Sequence, residues 1–209
     1  MTFIQANDVV LFQGDSITDC GRNYEQHDNL GNGYPVMVAK AFNALYPELN
    51  VTFFNRGISG NRVVNLQGRW KQDCLDLKPT WVSILIGIND VWRRYDANDA
   101  TSLAAFQEGY RDILQQIQDQ LQSKLILIEP FVLPVPADRK NWREDLDPKI
   151  QVVRELAAEF SALYIPTDGL FAQASMIQPP AHWAEDGVHP SVAGHRLIAE
   201  AWLKTVQVI

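Results

Sequence analysis

A chain of 209 residues, 46% hydrophobic and 21% charged, has an ordinary globular composition and enough length to bury a substantial core without disulfide staples. Its formal net charge of −7 and pI near 5.0 argue against a nucleic-acid partner, whose phosphates call for a basic face. The Met1–Asp8 segment lacks the basic-then-apolar pattern of a secretory leader, no apolar run approaches the ~18 residues of a membrane span, and Cys20 and Cys74 are too few for a secreted disulfide framework. The expectation is a soluble, cytoplasmic protein forming one domain over 1–209, with neither nucleic acid nor membrane as partner.

In chain order, the first short apolar runs are Val9-Val10-Leu11-Phe12, Val51-Thr52-Phe53-Phe54 and Trp81 to Ile86. Nearly continuous runs of this length are how strands buried on both faces of a parallel sheet read. Next, Leu103, Phe106, Tyr110, Ile113, Ile117 and Leu121 recur at spacings of three and four, one apolar stripe on a polar helix. A fourth strand is expected at Leu125-Ile126-Leu127-Ile128. Asp147-Pro148 then reads as an N-cap with proline at the first helical position, opening a helix that buries Val153, Leu156 and Phe160. Leu163-Tyr164-Ile165 is a fifth strand, and a last helix runs from about Ser191 to Val206 with Val192, Ile198, Trp202 and Val206 inward. No repeat or linker interrupts the alternation. The fold class is α/β, a three-layer α/β/α sandwich on a mainly parallel five-stranded sheet.

Open sheets of this kind bind ligands outside the carboxyl ends of their strands. Four segments fall there: Gly14-Asp15-Ser16-Ile17-Thr18, Asn55 to Asn61, Gly87-Ile88-Asn89-Asp90, and Asp186-Gly187-Val188-His189-Pro190. A serine hydroxyl becomes a useful nucleophile only when an imidazole takes its proton and a carboxylate holds that imidazole in the right tautomer. Ser16, His189 and Asp186 are the candidates for these roles, with two residues between Asp186 and His189 so that one turn can pair them. An oxyanion formed at an attacked acyl carbon needs preorganised donors, for which the Ser16 N–H, the Gly60 N–H and the Asn89 side-chain amide are available. Asp15 and Asp90 suit local bracing of their loops. Asp15, Trp92, Arg93 and Trp183 are the candidate substrate contacts, since pockets mix apolar walls with a few polar anchors, with core or oligomer-interface packing as the alternative for the residues flanking the blocks. Cys20 reads as a small packing residue, and His195 as a surface or supporting residue of the last helix.

These four blocks, Gly14-Asp15-Ser16, Gly60 in Ile58-Ser59-Gly60, Asn89 in Gly87-Ile88-Asn89-Asp90, and Asp186 to Pro190, resemble in order those of the SGNH/GDSL hydrolases, across essentially the whole chain. Ile17 stands where leucine is frequent. The resemblance implies a flavodoxin-like SGNH hydrolase, with Ser16, Gly60, Asn89 and His189 as the namesake residues and Asp186 completing the triad. The longer segments Gly14 to Arg22, Asn55 to Asn61 and Ser83 to Arg93 are similar to the bacterial intracellular acetylxylan-esterase branch. That narrower likeness implies deacetylation of a small acetylated saccharide such as a xylo-oligosaccharide, by a homo-oligomer, with no metal and no cofactor.

Rival classes fit less well. A metal-dependent phosphoesterase would want histidines adjoining its Gly-Asp and Asn-Asp elements. A nucleotide-binding module would want a glycine-rich phosphate loop, which Gly57-Ile58-Ser59-Gly60 is not. Intact blocks disfavour a catalytically dead carbohydrate-binding relative. Within the enzymes, a lysophospholipase or thioesterase acting on longer acyl chains would need an extended apolar groove. The long irregular stretches Asn23 to Asn32 and Leu133 to Asp145 are instead dominated by polar and charged residues.

Overall fold

Strands β1 (Val9–Gly14), β2 (Thr52–Asn55), β3 (Trp81–Leu85), β4 (Lys124–Ile128) and β5 (Leu163–Ile165) form a wholly parallel sheet in the computed structural model, which describes residues 2–209. The strand order is β2-β1-β3-β4-β5. Parallel neighbours require crossovers, supplied by helices α1 (Ser16–Asp19), α2 (Tyr34–Leu45), α3 (Val63–Asp73), α4 (Ile88–Asp96), α5 (Leu103–Gln120) and α6 (Arg143–Glu159); α7 (Thr167–Ala174), α8 (Pro180–Trp183) and α9 (Val192–Thr205) follow the last strand. None of these helices is long and apolar enough to cross a membrane.

Strand alternation divides the core into two layers. Val10 and Phe12 of β1 and Ile126 and Ile128 of β4 pack with Val38 and Phe42 of α2 and Ile198 and Trp202 of α9. On the opposite face, Leu11, Val82, Ile84, Leu125 and Leu127 pack with Leu66 and Trp70 of α3, Ile113 and Ile117 of α5, and Val153 and Leu156 of α6. The central strand positions are thus claimed by one helix layer or the other, which is why the strands read as apolar runs without regular polar alternation. Phe12 is the hub of the first layer. Its ring lies 5.6 Å from Tyr34, edge to face, and 5.7 Å from Trp202. Trp202 spends its indole N–H on the buried Ser83 hydroxyl at 3.1 Å.

Two local expectations are corrected. The helix expected to open at Asp147-Pro148 begins at Arg143, and Pro148 lies inside it. Pro148 and Glu144 are both exposed, so the Glu144 carbonyl left without an N–H partner faces water, where the loss is cheap. Arg143 ties this first turn down through Asp147 and Asp168, both at 2.6 Å. The buried stripes of α5 and α9 also begin later than expected. Leu103 is 43% and Val192 78% exposed. Each is the first residue after a serine cap, Ser102 or Ser191, before the helix has turned onto the sheet.

Phe12→Ala should leave a large cavity between β1, α2 and α9. The expected loss of stability is about 3–5 kcal/mol, read as a lower urea midpoint at an unchanged slope.

Candidate active site

The strand order reverses between β1 and β3, and the loops leaving those two strands diverge to opposite sides of the sheet, opening a crevice at their carboxyl ends. Ser16 lies at this edge because β1 ends at Gly14 and Asp15 caps α1, its Oδ1 accepting the Ile17 N–H at 3.0 Å. Ser16 is therefore the first residue of α1, where backbone N–H groups have no intrahelical acceptor. Gly87 turns β3 directly into α4 and puts Asn89 in that helix's first turn. The chain leaving β2 supplies Gly60.

The fourth block arrives from the far end of the chain. Ser16 Oγ and His189 Nε2 are 2.9 Å apart, and His189 Nδ1 lies 2.6 Å from Asp186 Oδ2. The other carboxylate oxygen of Asp186 accepts the backbone N–H groups of Val188 (2.9 Å) and His189 (2.8 Å), so the turn fixes the acid on its own downstream ring. Gly187 permits this turn at φ +82°, and no other residue fits: a Cβ there would come within 2.2 Å of the Val135 carbonyl oxygen. The Gly187 carbonyl accepts the Leu133 N–H at 2.8 Å, pinning the turn to the chain that leaves β4.

Burial alone would raise the Asp186 pKa, but the hydrogen bonds from the His189 ring and from the His189 and Val188 amides outweigh it and hold the group well below the usual carboxylate range. The hydrogen bond to Asp186 likewise raises the His189 pKa above its ordinary value, against partial burial. With Asp186 anchored on Nδ1–H, the neutral imidazole presents a lone pair at Nε2 to the Ser16 hydroxyl, the arrangement a general base requires.

The oxyanion candidates border the same space. Asn89 is 3% exposed and donates one amide hydrogen to the Asn61 carbonyl at 3.1 Å, leaving the other to point elsewhere. Gly60 adopts φ +80°, and a Cβ there would meet nothing within 4 Å, so its backbone is open to an approaching ligand.

The remaining candidates separate. The Trp92 ring lies 5.8 Å from His189 and 5.3 Å from Trp142. Arg93 is held by Asp96 at 2.8 Å. Trp183 turns its indole N–H to the Gln178 carbonyl and packs edge-on to His182. Asp15 is corrected as a substrate contact. Only 1% exposed, it is spent on capping α1, and burial pushes its pKa up to about 7. Its neighbour in role, Asp90, accepts the Val63 N–H at 3.2 Å, so it ties α4 to the start of α3 rather than bracing its own loop locally.

His195 is also not a surface residue. It is 5% exposed, its Nδ1 accepts the Tyr34 N–H at 3.2 Å, and its Nε2 lies 3.3 Å from Cys20 Sγ. Burial lowers its pKa to about 4 and raises that of Cys20, so the two form a neutral packing pair. Sequence reasoning missed Arg139, which lies 4.0 Å over the Trp142 ring and 5.2 Å over Trp92, and whose Nε donates to the Asp186 carbonyl at 3.4 Å. Nothing in an irregular polar stretch marks one arginine out from its neighbours. Among the described residues, no three His, Cys, Asp or Glu side chains gather as a metal site would need.

Comparison with known proteins agrees with this geometry. The GDSL-like lipase/acylhydrolase family pattern matches residues 12–197. An acetylxylan esterase of Geobacillus stearothermophilus is 38% identical over 97% of this chain and 95% of its own. Its solved structure, Axe2, superposes with a TM-score of 0.90 at 37% identity, over the same shares of the two chains. A Parabacteroides merdae structure described as a GDSL-like lipase superposes with a TM-score of 0.94 at 33% identity, over 99% of this chain and 98% of that one. Variants of Axe2 described as catalytic mutants replace a serine, an aspartate, and a histidine three positions after the aspartate. The chain belongs to the GDSL-like lipase/acylhydrolase family.

The His189 ring should titrate above the ordinary imidazole value of 6.5. Asp186→Asn removes the hydrogen-bonded charge and should bring that titration down toward or below 6.5, followed through the ring proton resonances. An unchanged titration would mean that Asp186 does not govern the ring.

Proposed function

We propose that this GDSL-like acylhydrolase is a serine esterase that removes acetyl groups from xylo-oligosaccharides or closely related acetylated saccharides. The observation that carries the reading is the hydrogen-bonded series Ser16–His189–Asp186 at the mouth of the β1/β3 crevice. The 38% identity to an acetylxylan esterase supports acetyl over a longer acyl group.

In this reading Ser16 Oγ attacks the acetyl carbonyl carbon while His189 Nε2 takes the hydroxyl proton. The carbonyl oxygen becomes an oxyanion, met by the Ser16 and Gly60 N–H groups and the Asn89 amide. Collapse of the tetrahedral intermediate breaks the bond to the sugar oxygen, which leaves with the proton from His189. Water then attacks the acetyl-serine, again deprotonated by His189, and acetate departs as Ser16 regains its proton. Asp186 keeps its charge throughout and stabilises the imidazolium that forms twice. Trp92, braced by Trp142 and Arg139, offers a sugar an aromatic wall beside the base. In this reading Arg93 and Trp183 serve as further polar and aromatic substrate contacts.

The 209 residues act as one hydrolase domain in the cytoplasm, needing neither metal nor cofactor. A homo-oligomer suits the exposed Val192 and Ile209, which border an apolar groove between α2 and α9.

The test is acetate release from acetylated xylo-oligosaccharides, an aryl acetate and an aryl octanoate, with wild type and Ser16→Ala compared in excess chelator. The expected result is turnover of the sugar and the aryl acetate that disappears in Ser16→Ala. Preference for octanoate would overturn the substrate class, and loss of activity in chelator alone would overturn the mechanism. Since only neutral His189 accepts a proton, kcat/KM should rise with pH through a limb above 6.5 and then level. Asn89→Ala should fold normally and lose about 10²–10³ in kcat.

A further inference from the structure

Asp19 is the last residue of the short helix that opens with Ser16, and it is 3% exposed. Its carboxylate is crowded with donors. Oδ1 accepts the Arg22 N–H at 3.0 Å. Oδ2 accepts the Ser59 N–H at 3.0 Å, the Ser59 hydroxyl at 2.8 Å and the Tyr24 hydroxyl. Ser59 immediately precedes Gly60. One carboxylate therefore joins three stretches of chain: the helix carrying the nucleophile, the segment presenting the Gly60 N–H, and the loop holding Tyr24.

The backbones it joins lie in direct contact. A Cβ on Gly57 would come within 2.4 Å of the Asp19 nitrogen, and Arg22 reaches back to the Gly57 carbonyl at 3.1 Å. Gly60 itself gains nothing from side-chain packing, because the space around its α-carbon is open. Its orientation depends on the residues before and after it. Ser59 is the immediate neighbour, and two of its groups end on Asp19. Burial of Asp19 would raise its pKa, but the hydrogen bonds from Tyr24, Ser59 and Arg22 outweigh burial and keep the group ionised.

We propose that Asp19 is the positioning residue of the oxyanion hole, fixing the Gly60 N–H relative to Ser16 Oγ through its paired hydrogen bonds to Ser59. This rests on the serine-esterase reading above. Asp19 touches neither substrate nor reacting atoms, so its effect is confined to the step in which negative charge develops on the carbonyl oxygen. Donors displaced by a fraction of an ångström lose transition-state stabilisation while ground-state binding is largely kept.

An aryl acetate and its thionoacetate analogue separate this role from general support of the fold. Sulfur is larger and a weaker acceptor than oxygen, so the thionoester benefits little from a hole shaped for an oxyanion. In Asp19→Asn, kcat for the oxygen ester should fall about 10- to 100-fold, with KM and the thionoester rate each moving less than about threefold. Ser59→Ala, an exposed side chain that contributes one of the two bonds, should show a smaller fall in the same ratio, and it decides the matter if Asp19→Asn does not fold. Equal losses for both esters, or none, would overturn the proposal while leaving Ser16-dependent turnover intact. Wild-type rates in Ser16→Ala would instead overturn the serine reading itself, and this inference with it.

Discussion

A parallel sheet covered by helices on both faces has no free surface except its edges, and that constraint organises everything else in this molecule. Phe12 and Leu11 sit side by side on β1 yet belong to different layers of core. With both faces sealed, a polar group can reach solvent only where strands give way to loops. The carboxyl edge is the one where the reversal of strand order between β1 and β3 parts the loops. Ser16 and Asn89 leave those two strands, and Gly60 leaves the neighbouring one.

Holding polar groups at that edge demands their satisfaction elsewhere. Asp186 accepts three hydrogen bonds from a four-residue turn, and Asp19 accepts four from two loops. Asp15 and Asp90 are different, since each keeps one carboxylate oxygen buried without a partner. Their pKa values move toward neutrality, to about 7 and about 6, because burial disfavours the charge more than one backbone amide restores it.

Sheet, layers and the Asp186–His189 pairing were legible in the sequence because each follows from a local rule. Continuous apolar runs mark strands with two buried faces, and a carboxylate three residues before a histidine makes its own turn. What escaped was non-local or depended on where a helix meets its layer. Asp147-Pro148 carries a sound start signal, yet Arg143 ties the preceding turn to Asp168 on α7, a contact no window along the chain contains. His195 reads as either a surface or a supporting residue until α2 and Cys20 are seen to close over it. Asp15 reads both as a loop brace and as a substrate contact until its carboxylate is seen capping the helix that Ser16 opens. Arg139 acquires meaning only from the two tryptophans beneath it, which come from separate elements.

The serine and its base are 173 residues apart in sequence but joined by one hydrogen bond. During synthesis Ser16 emerges first, just after a strand that later lies between two others, and His189 emerges just ahead of the closing helix α9. A nascent chain therefore leaves Ser16 without its hydrogen-bond partner until synthesis has passed His189.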